Sequence, residues 1–175
     1  FCDPVIGDHG RIYVQPDPTS FYCTTALAKA QVILPNQFEL SCITPTDLNT
    51  DAPPHQWLQK VREHYQCDVL IAKGLRSPQS THISVYCATA KGLTEIQAPY
   101  HQGLFFGAGD AFTALFCAFY QRHQHTAEHA AYLATNAMAH IIECTVQRNR
   151  KELSLIETQN RWETPHASIH HIMHT

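Results

Sequence analysis

Four short segments of this chain carry side chains able to handle a phosphate group. In Gly107-Ala108-Gly109-Asp110, two glycines let the backbone approach an anion, and the start of the following apolar run offers free N–H groups and the positive end of a helix dipole. A carboxylate in that turn can take the proton of an attacking hydroxyl, the general-base task in phosphoryl transfer to an alcohol. The same four residues also suit a plain glycine-containing turn in which Asp110 favours the helix start. In Asn36-Gln37-Phe38-Glu39, Asn and Glu three apart can both face a strand-end crevice, with Glu39 holding a hydrated magnesium ion, or they can form a helix capping box. Asp3-Pro4-Val5-Ile6-Gly7-Asp8 sets a carboxylate at a strand terminus, where acids serve metal or nucleotide and where Asp before Pro is also ordinary turn chemistry. Lys73 follows an apolar strand, as a point charge for phosphate or as a solvated surface lysine.

The elements that position these residues alternate in type. Phe1-Cys2 reads as the end of a buried strand and residues 3–13 as a loop rich in Gly, Asp and Pro. A helix is expected over 17–29 with Pro18 in its first turn, then a strand over 31–34 closed by Pro35, then a short helix over 36–42 stopped by the Thr44-Pro45 step. Trp57, Leu58, Val61 and Tyr65 recur at helical spacing within 53–65. Asp68 to Ala72 has the continuous apolar character of a strand covered on both faces, with Lys73-Gly74 as its exit, and 82–88 and 93–98 form a hairpin around Lys91-Gly92. A helix over 111–121 is hydrophobic nearly all round and is expected to be central. A second, over 126–148, turns Ala130, Leu133, Ala134, Ala137, Ile141 and Cys144 inward. Such alternation implies an α/β sandwich whose ligands sit beyond the C-terminal ends of the strands, and all four segments fall at predicted strand exits or a helix start on that rim.

With 175 residues, one domain spanning 1–175 is the expectation. A formal charge of −3 gives no electrostatic case for nucleic acid or an anionic membrane, so a small ligand is expected. The seven cysteines include no C-x-x-C pair and fit reduced thiols in a cytoplasm better than disulfides or a zinc cluster. No apolar run approaches the roughly 20 residues of a membrane span, and no secretory leader precedes the first motif, so a soluble, cytosolic protein is expected. The chain opens with Phe1 rather than Met, which reads as a fragment or as the product of upstream removal.

In order and spacing, Asp3 to Val14, then Leu34-Pro35-Asn36-Gln37-Phe38-Glu39-Leu40, then Gly107 to Asp110 resemble the pyridoxal kinases of the ribokinase-like superfamily. The tail, Lys151 to Asn160 and on towards Pro165, is similar to the C-terminal segment of the bacterial members. The resemblance implies a three-layer αβα sandwich with a mostly parallel sheet, an antiparallel edge and N-terminal strands missing. It implies ATP-dependent phosphorylation of the 5'-hydroxymethyl of pyridoxal with Mg2+, and a homodimer in the full-length form. By the same likeness, Asp110 is the base and a substrate contact, and Gly107, Ala108 and Gly109 form the anion hole. Asp3, Leu34, Asn36, Glu39 and Lys73 contact the nucleotide, Asp3 and Glu39 also serving its metal through water; the stretch Ala98, Pro99, Tyr100 and His101 adds to the nucleotide site, and Tyr13 approaches the substrate. Members of the family carry further strands and helices before the Asp-Pro-Val motif, with most of the pyridoxal pocket and much of the dimer contact. Two alternatives stand beside this one: a hydroxymethylpyrimidine kinase, and a noncatalytic nucleotide-binding remnant. The thirteen histidines, including His125 with His129 and the tail trio His170, His171 and His174, are read as solvated rather than metal-binding, and Cys117, Cys144, Trp57 and Trp162 as packing residues.

Overall fold

The computed structural model describes residues 1–46, 48, 51–122, 126–164 and 166–174, side chains included except that of His174. In chain order the strands are β1 (Gly7–Asp8), β2 (Arg11–Ile12), β3 (Val32–Ile33), β4 (Val69–Leu75), β5 (His82–Thr89), β6 (Gly92–Pro99) and β7 (His170–His174). The α-helices are α1 (Thr19–Phe21), α2 (Gln37–Ile43), α3 (Leu58–Tyr65), α4 (Ala108–Arg122), α5 (Ala127–Gln147) and α6 (Leu155–Thr158). Strands β3 to β7 form one sheet in the order β3-β4-β5-β6-β7, and β1 and β2 form a separate two-stranded ribbon. The expected α/β architecture is present. Contacts group the chain into two units, one of residues 1–75, 86–95 and 173–175, the other of 76–85 and 96–172.

In the first unit, β3 pairs in parallel with β4, Val32 opposite Val69 and Ile33 opposite Leu70. Cys2 extends this arrangement on the far side of β3, its N–H donating to the Val32 carbonyl at 2.8 Å and its carbonyl accepting from the Leu34 N–H at 3.0 Å. Ile6, Leu27, Ile33, Leu58 and Val61 are fully buried in the core beneath. Trp57 and Tyr65 join that core by their rings and place their polar ends on the Ala52 and Ile43 carbonyls, at 2.9 and 2.6 Å. The loop expected over 3–13 contains a minimal hairpin: Gly7 pairs with Ile12 and Asp8 with Arg11, leaving His9 and Gly10 at φ 47° and 77°, the left-handed geometry of a tight two-residue turn. The helix expected over 17–29 forms from Thr19 but changes pitch twice, from α to a π turn at Tyr22–Ala26 and a 3-10 turn at Leu27–Lys29. Asp17 accepts from the Thr19 amide and hydroxyl just ahead of it, which holds its carboxyl below the ordinary range.

A correction concerns Lys73 and Gly74, expected to leave the strand. They lie within β4, which continues to Leu75, because Lys73 donates its backbone N–H to the Pro35 carbonyl at 2.9 Å and bridges Asn36.

In the second unit α4 packs on α5. Only one face of α4 is buried, that of Phe112, Leu115, Phe116 and Phe119, while Ala114 and Ala118 are exposed, so the helix is amphipathic rather than enclosed. Alanine lends apolar character to a sequence pattern without requiring burial. On α5 the expected stripe is buried at Ala130, Ala134, Ala137 and Ile141 and half-buried at Leu133 and Cys144. Thr135, Asn136 and Thr145 join it as buried polar residues, each with a hydrogen bond. In the histidine-bearing tail His170 and His171 are exposed, as expected, and the segment adds strand β7 beside β6 at the edge of the sheet. All seven cysteines are free thiols. Among the described residues no helix is long and apolar enough to cross a membrane.

Candidate active site

The parallel alignment of Cys2, β3 and β4 brings the C-terminal ends of three chain segments side by side, and three of the singled-out polar residues follow directly from it. Lys73 donates through Nζ to Asp3 Oδ2 at 2.5 Å, the two side chains being only 8% and 16% exposed. A charge pair so enclosed from water is held far more firmly than a surface one, and removing either member leaves the other poorly compensated. Lys73 is thus a buried, directed cation rather than a solvated lysine.

Asn36 and Glu39 form the capping box of α2. Asn36 Oδ1 accepts from the Glu39 N–H at 2.9 Å and Glu39 Oε2 from the Asn36 N–H at 2.8 Å. Both side chains reach further: Glu39 Oε1 accepts from the Ile6 N–H at 3.2 Å, and Asn36 Nδ2 donates to the Gly7 carbonyl at 2.9 Å. The helix start therefore also grips the segment after Asp3. Burial pushes the Glu39 carboxyl up from its ordinary 4.5 to about 7, against the pull of the Asn36 amide and the Lys73 ammonium and with the help of the Asp3 charge. Gly7 is required by the same crowding, since a Cβ there would stand 2.2 Å from the Arg11 carbonyl oxygen and 2.6 Å from the Phe38 ring. Leu34 is fully buried with its amide committed to Cys2, and Tyr13, 56% exposed, donates its N–H to the Ile6 carbonyl.

In the second unit the Gly107 turn opens α4. Gly107 has φ 78°, which a residue with a side chain adopts only under strain, and its carbonyl accepts from the Ala111 N–H at 2.8 Å. The Ala108 amide turns back to the Phe105 carbonyl at 3.1 Å. Among the described residues no backbone hydrogen bond takes the Gly109 or Asp110 amide, so these two are the donors that the 15-residue helix presents, beside an exposed Asp110 carboxylate. An anion at this turn would meet two N–H groups, a positive dipole end and a base.

Ala98 and Pro99 end β6, and Tyr100 donates its N–H to the Thr81 carbonyl at 2.9 Å, with half-buried His101 following. Sequence reading overlooked Arg76, whose guanidinium lies 3.7 Å over the Tyr100 ring, a cation–π contact that fixes a planar donor beside this stretch. Its signal in the sequence was a second cation three residues beyond Lys73.

A family model described as phosphomethylpyrimidine kinase matches residues 1–155. Pyridoxal kinase PdxY of Deinococcus radiodurans is 29% identical over 177 aligned positions, covering 94% of this chain and 57% of the relative; PdxY of Rubrobacter xylanophilus is 29% identical with the same coverage. Among solved structures, the Leishmania donovani pyridoxal kinase in complex with ADP and ginkgotoxin superposes with a TM-score of 0.80 at 24% identity, covering all of this chain and 62% of that one. The Plasmodium falciparum PdxK with AMP-PNP and PL gives 0.82 at 21% identity and 60% coverage of that chain. These likenesses give the chain the ribokinase-like αβα fold. The chain spans somewhat over half the length of the relatives it matches.

Proposed function

We propose, from the premise that the chain belongs to the phosphomethylpyrimidine kinase family, that it is the nucleotide-binding and phosphoryl-transfer portion of an ATP-dependent pyridoxal kinase. The observation that carries this reading is the turn at the head of α4, where the left-handed Gly107, the unclaimed amides of Gly109 and Asp110 and the exposed Asp110 carboxylate stand together. In the reaction, the 5'-hydroxymethyl oxygen bonds to the γ-phosphorus of ATP while its proton passes to Asp110. The bond from that phosphorus to the bridging oxygen breaks, and ADP departs with the electron pair. The Gly107-Ala108-Gly109 backbone receives charge on the transferred group.

Asp3, Leu34, Asn36, Glu39, Lys73 and the Ala98–His101 stretch serve the nucleotide, and Tyr13 the substrate. The carboxylates of Asp3 and Glu39 fit magnesium in donor type, a hard cation that takes oxygen ligands and keeps several waters. Glu39 already directs both oxygens to backbone amides, so it would reach an ion through water. When bound, Mg2+ would supply charge neutralisation on the phosphates. The reading carries with it a cytoplasmic, homodimeric enzyme.

The family description supports a second reading, phosphorylation of a hydroxymethylpyrimidine at an equivalent primary alcohol. ADP release measured with each alcohol separates the two, and ATP binding without turnover on either would favour a noncatalytic nucleotide-binding module. Replacing Asp110 with Asn is expected to lower turnover by about 100-fold or more while nucleotide affinity holds within a few fold. Equal losses in both would contradict the assignment of Asp110 as the base.

A further inference from the structure

Residues 162–164 and 166–168 are fastened to α5 by side chains that the kinase reading leaves unused. Asn136, fully buried, donates from Nδ2 to the carbonyls of Trp162 and Thr164 at 3.0 and 2.7 Å and accepts from the His166 N–H at 2.6 Å. One turn further along the helix, His140 and Glu143 are three residues apart and therefore share a face, and His166 is set against them. One donor atom from each of the three lies within 4.8 Å of the others, and all three residues are half-buried.

We propose that His140, Glu143 and His166 form a binding site for a divalent transition-metal ion of the zinc type, which clips the backbone at His166 onto α5. Two imidazoles and a carboxylate are the donors that such an ion prefers over magnesium or calcium. His166 Nε2 and Glu143 Oε2 are 3.1 Å apart, close to the separation of about 3.3 Å between neighbouring ligands of a tetrahedral ion with bonds near 2.0–2.1 Å. Three protein ligands would leave the fourth position of a tetrahedral ion to water.

The hydrogen bonds also say which electron pairs are on offer. The Thr164 carbonyl can only accept, so in its 3.1 Å contact His140 carries its proton on Nε2 and holds the lone pair on Nδ1. Such a contact from a ring nitrogen to a backbone carbonyl is the outer-shell partner that metal-bound histidines usually have. As the residues stand, His166 takes the Ser168 N–H on Nδ1 at 3.3 Å and points its Nε2 proton at Glu143. An ion bonding to Nε2 displaces that proton to Nδ1, so the Ser168 amide must turn away and no proton is released. Loading the site is thus coupled to the backbone of the tail.

The test is a titration of the chelator-treated 175-residue chain with Co2+ as a visible-absorbing probe, competed by Zn2+. Wild type is expected to give one saturable set of intense ligand-field bands, abolished by Zn2+, and to keep them when His129, elsewhere on α5, is replaced by Gln. Glu143→Gln and His166→Gln are each expected to weaken binding by about 100-fold or more, beyond what loss of an outer-shell partner does. Bands that are absent in wild type, or that persist at unchanged affinity in both variants, would overturn the proposal. Should a variant fail to fold, NMR of wild type decides: Zn2+ must shift the rings of His140 and His166 and the Ser168 amide, and shifts confined to other histidines would refute the site.

Discussion

Replacing Glu39 with Gln isolates the energetic consequence of burying a carboxyl beneath the Asp3 segment. The side chain is 2% exposed, and burial raises its folded-state value from 4.5 to about 7. A carboxyl raised on folding stabilises the protein fully below its unfolded value, and that contribution is lost as pH climbs to the folded one. At about 1.4 kcal/mol per pH unit, the wild type should lose about 3 kcal/mol between pH 4.5 and 7 through this group and nothing further above it. Gln does not titrate, so the variant is spared that loss. It has its own fixed cost: its amide nitrogen must face either the Ile6 or the Asn36 N–H, where both oxygens of the carboxyl keep a lone pair even when protonated, at about 1–3 kcal/mol. Urea unfolding of both proteins at half-unit steps from pH 4 to 8 gives the difference directly. The variant should be the less stable protein at pH 4 and should draw level with the wild type or overtake it by pH 8. A stability difference that stays constant through this window, or one that moves against Gln as pH rises, would refute the assignment of a buried carboxyl ionising near neutrality.

Lys73→Met should destabilise by about 3 kcal/mol in the same unfolding assay, since it withdraws the cation from a little-exposed Asp3 carboxylate, and Asp3→Asn added to it should restore part of the loss. Gly7→Ala forces a Cβ against the Arg11 carbonyl and the Phe38 ring, and an overpacking cost of about 1–3 kcal/mol is expected, with amide exchange rising in the β1–β2 hairpin before elsewhere in that unit. Asn136→Ala abandons three hydrogen bonds at once; hydrogen exchange should rise sharply at the His166 amide, while the α2 amides keep their protection.

Much of the unit that holds Asp3 could be read from its residues, because its signals are local. Asn36 and Glu39 sit at the spacing of a capping box and form one; the Thr44-Pro45 step stops α2; the apolar run from Val69 becomes β4. The parallel placement that brings Asp3 to Lys73 spans 70 positions and leaves no local trace, so the pair emerged only in three dimensions. Lys73 itself was expected outside the strand because a cation ends an apolar pattern, whereas the bond to Pro35 carries β4 past it. The strand in the tail, where exposed histidines were rightly expected, left no local trace for a related reason. His170 and its neighbours lack strand-like alternation, and β7 rests on the neighbouring β6 rather than on a buried face of its own. The ligand cluster joins α5 to a residue 23 positions later, a distance at which no spacing rule operates. The glycine turn at the head of α4 was legible from its residues, yet the Ala108 amide is spent on Phe105, a detail of turn geometry that residue types do not encode.

Because β3 and β4 are held in parallel with Val32 facing Val69, the arrangement of charge at their far ends is written in aliphatic side chains. A slip of one residue along that ladder would turn every side chain of β4 to its opposite face and carry the Lys73 ammonium away from Asp3. Substitutions at Val32, Ile33, Val69 or Leu70 that keep the protein folded but loosen its registration can therefore silence the polar cluster without touching one of its members. If the proposed function holds, a screen for loss of nucleotide binding should recover such aliphatic positions alongside the acids and the lysine.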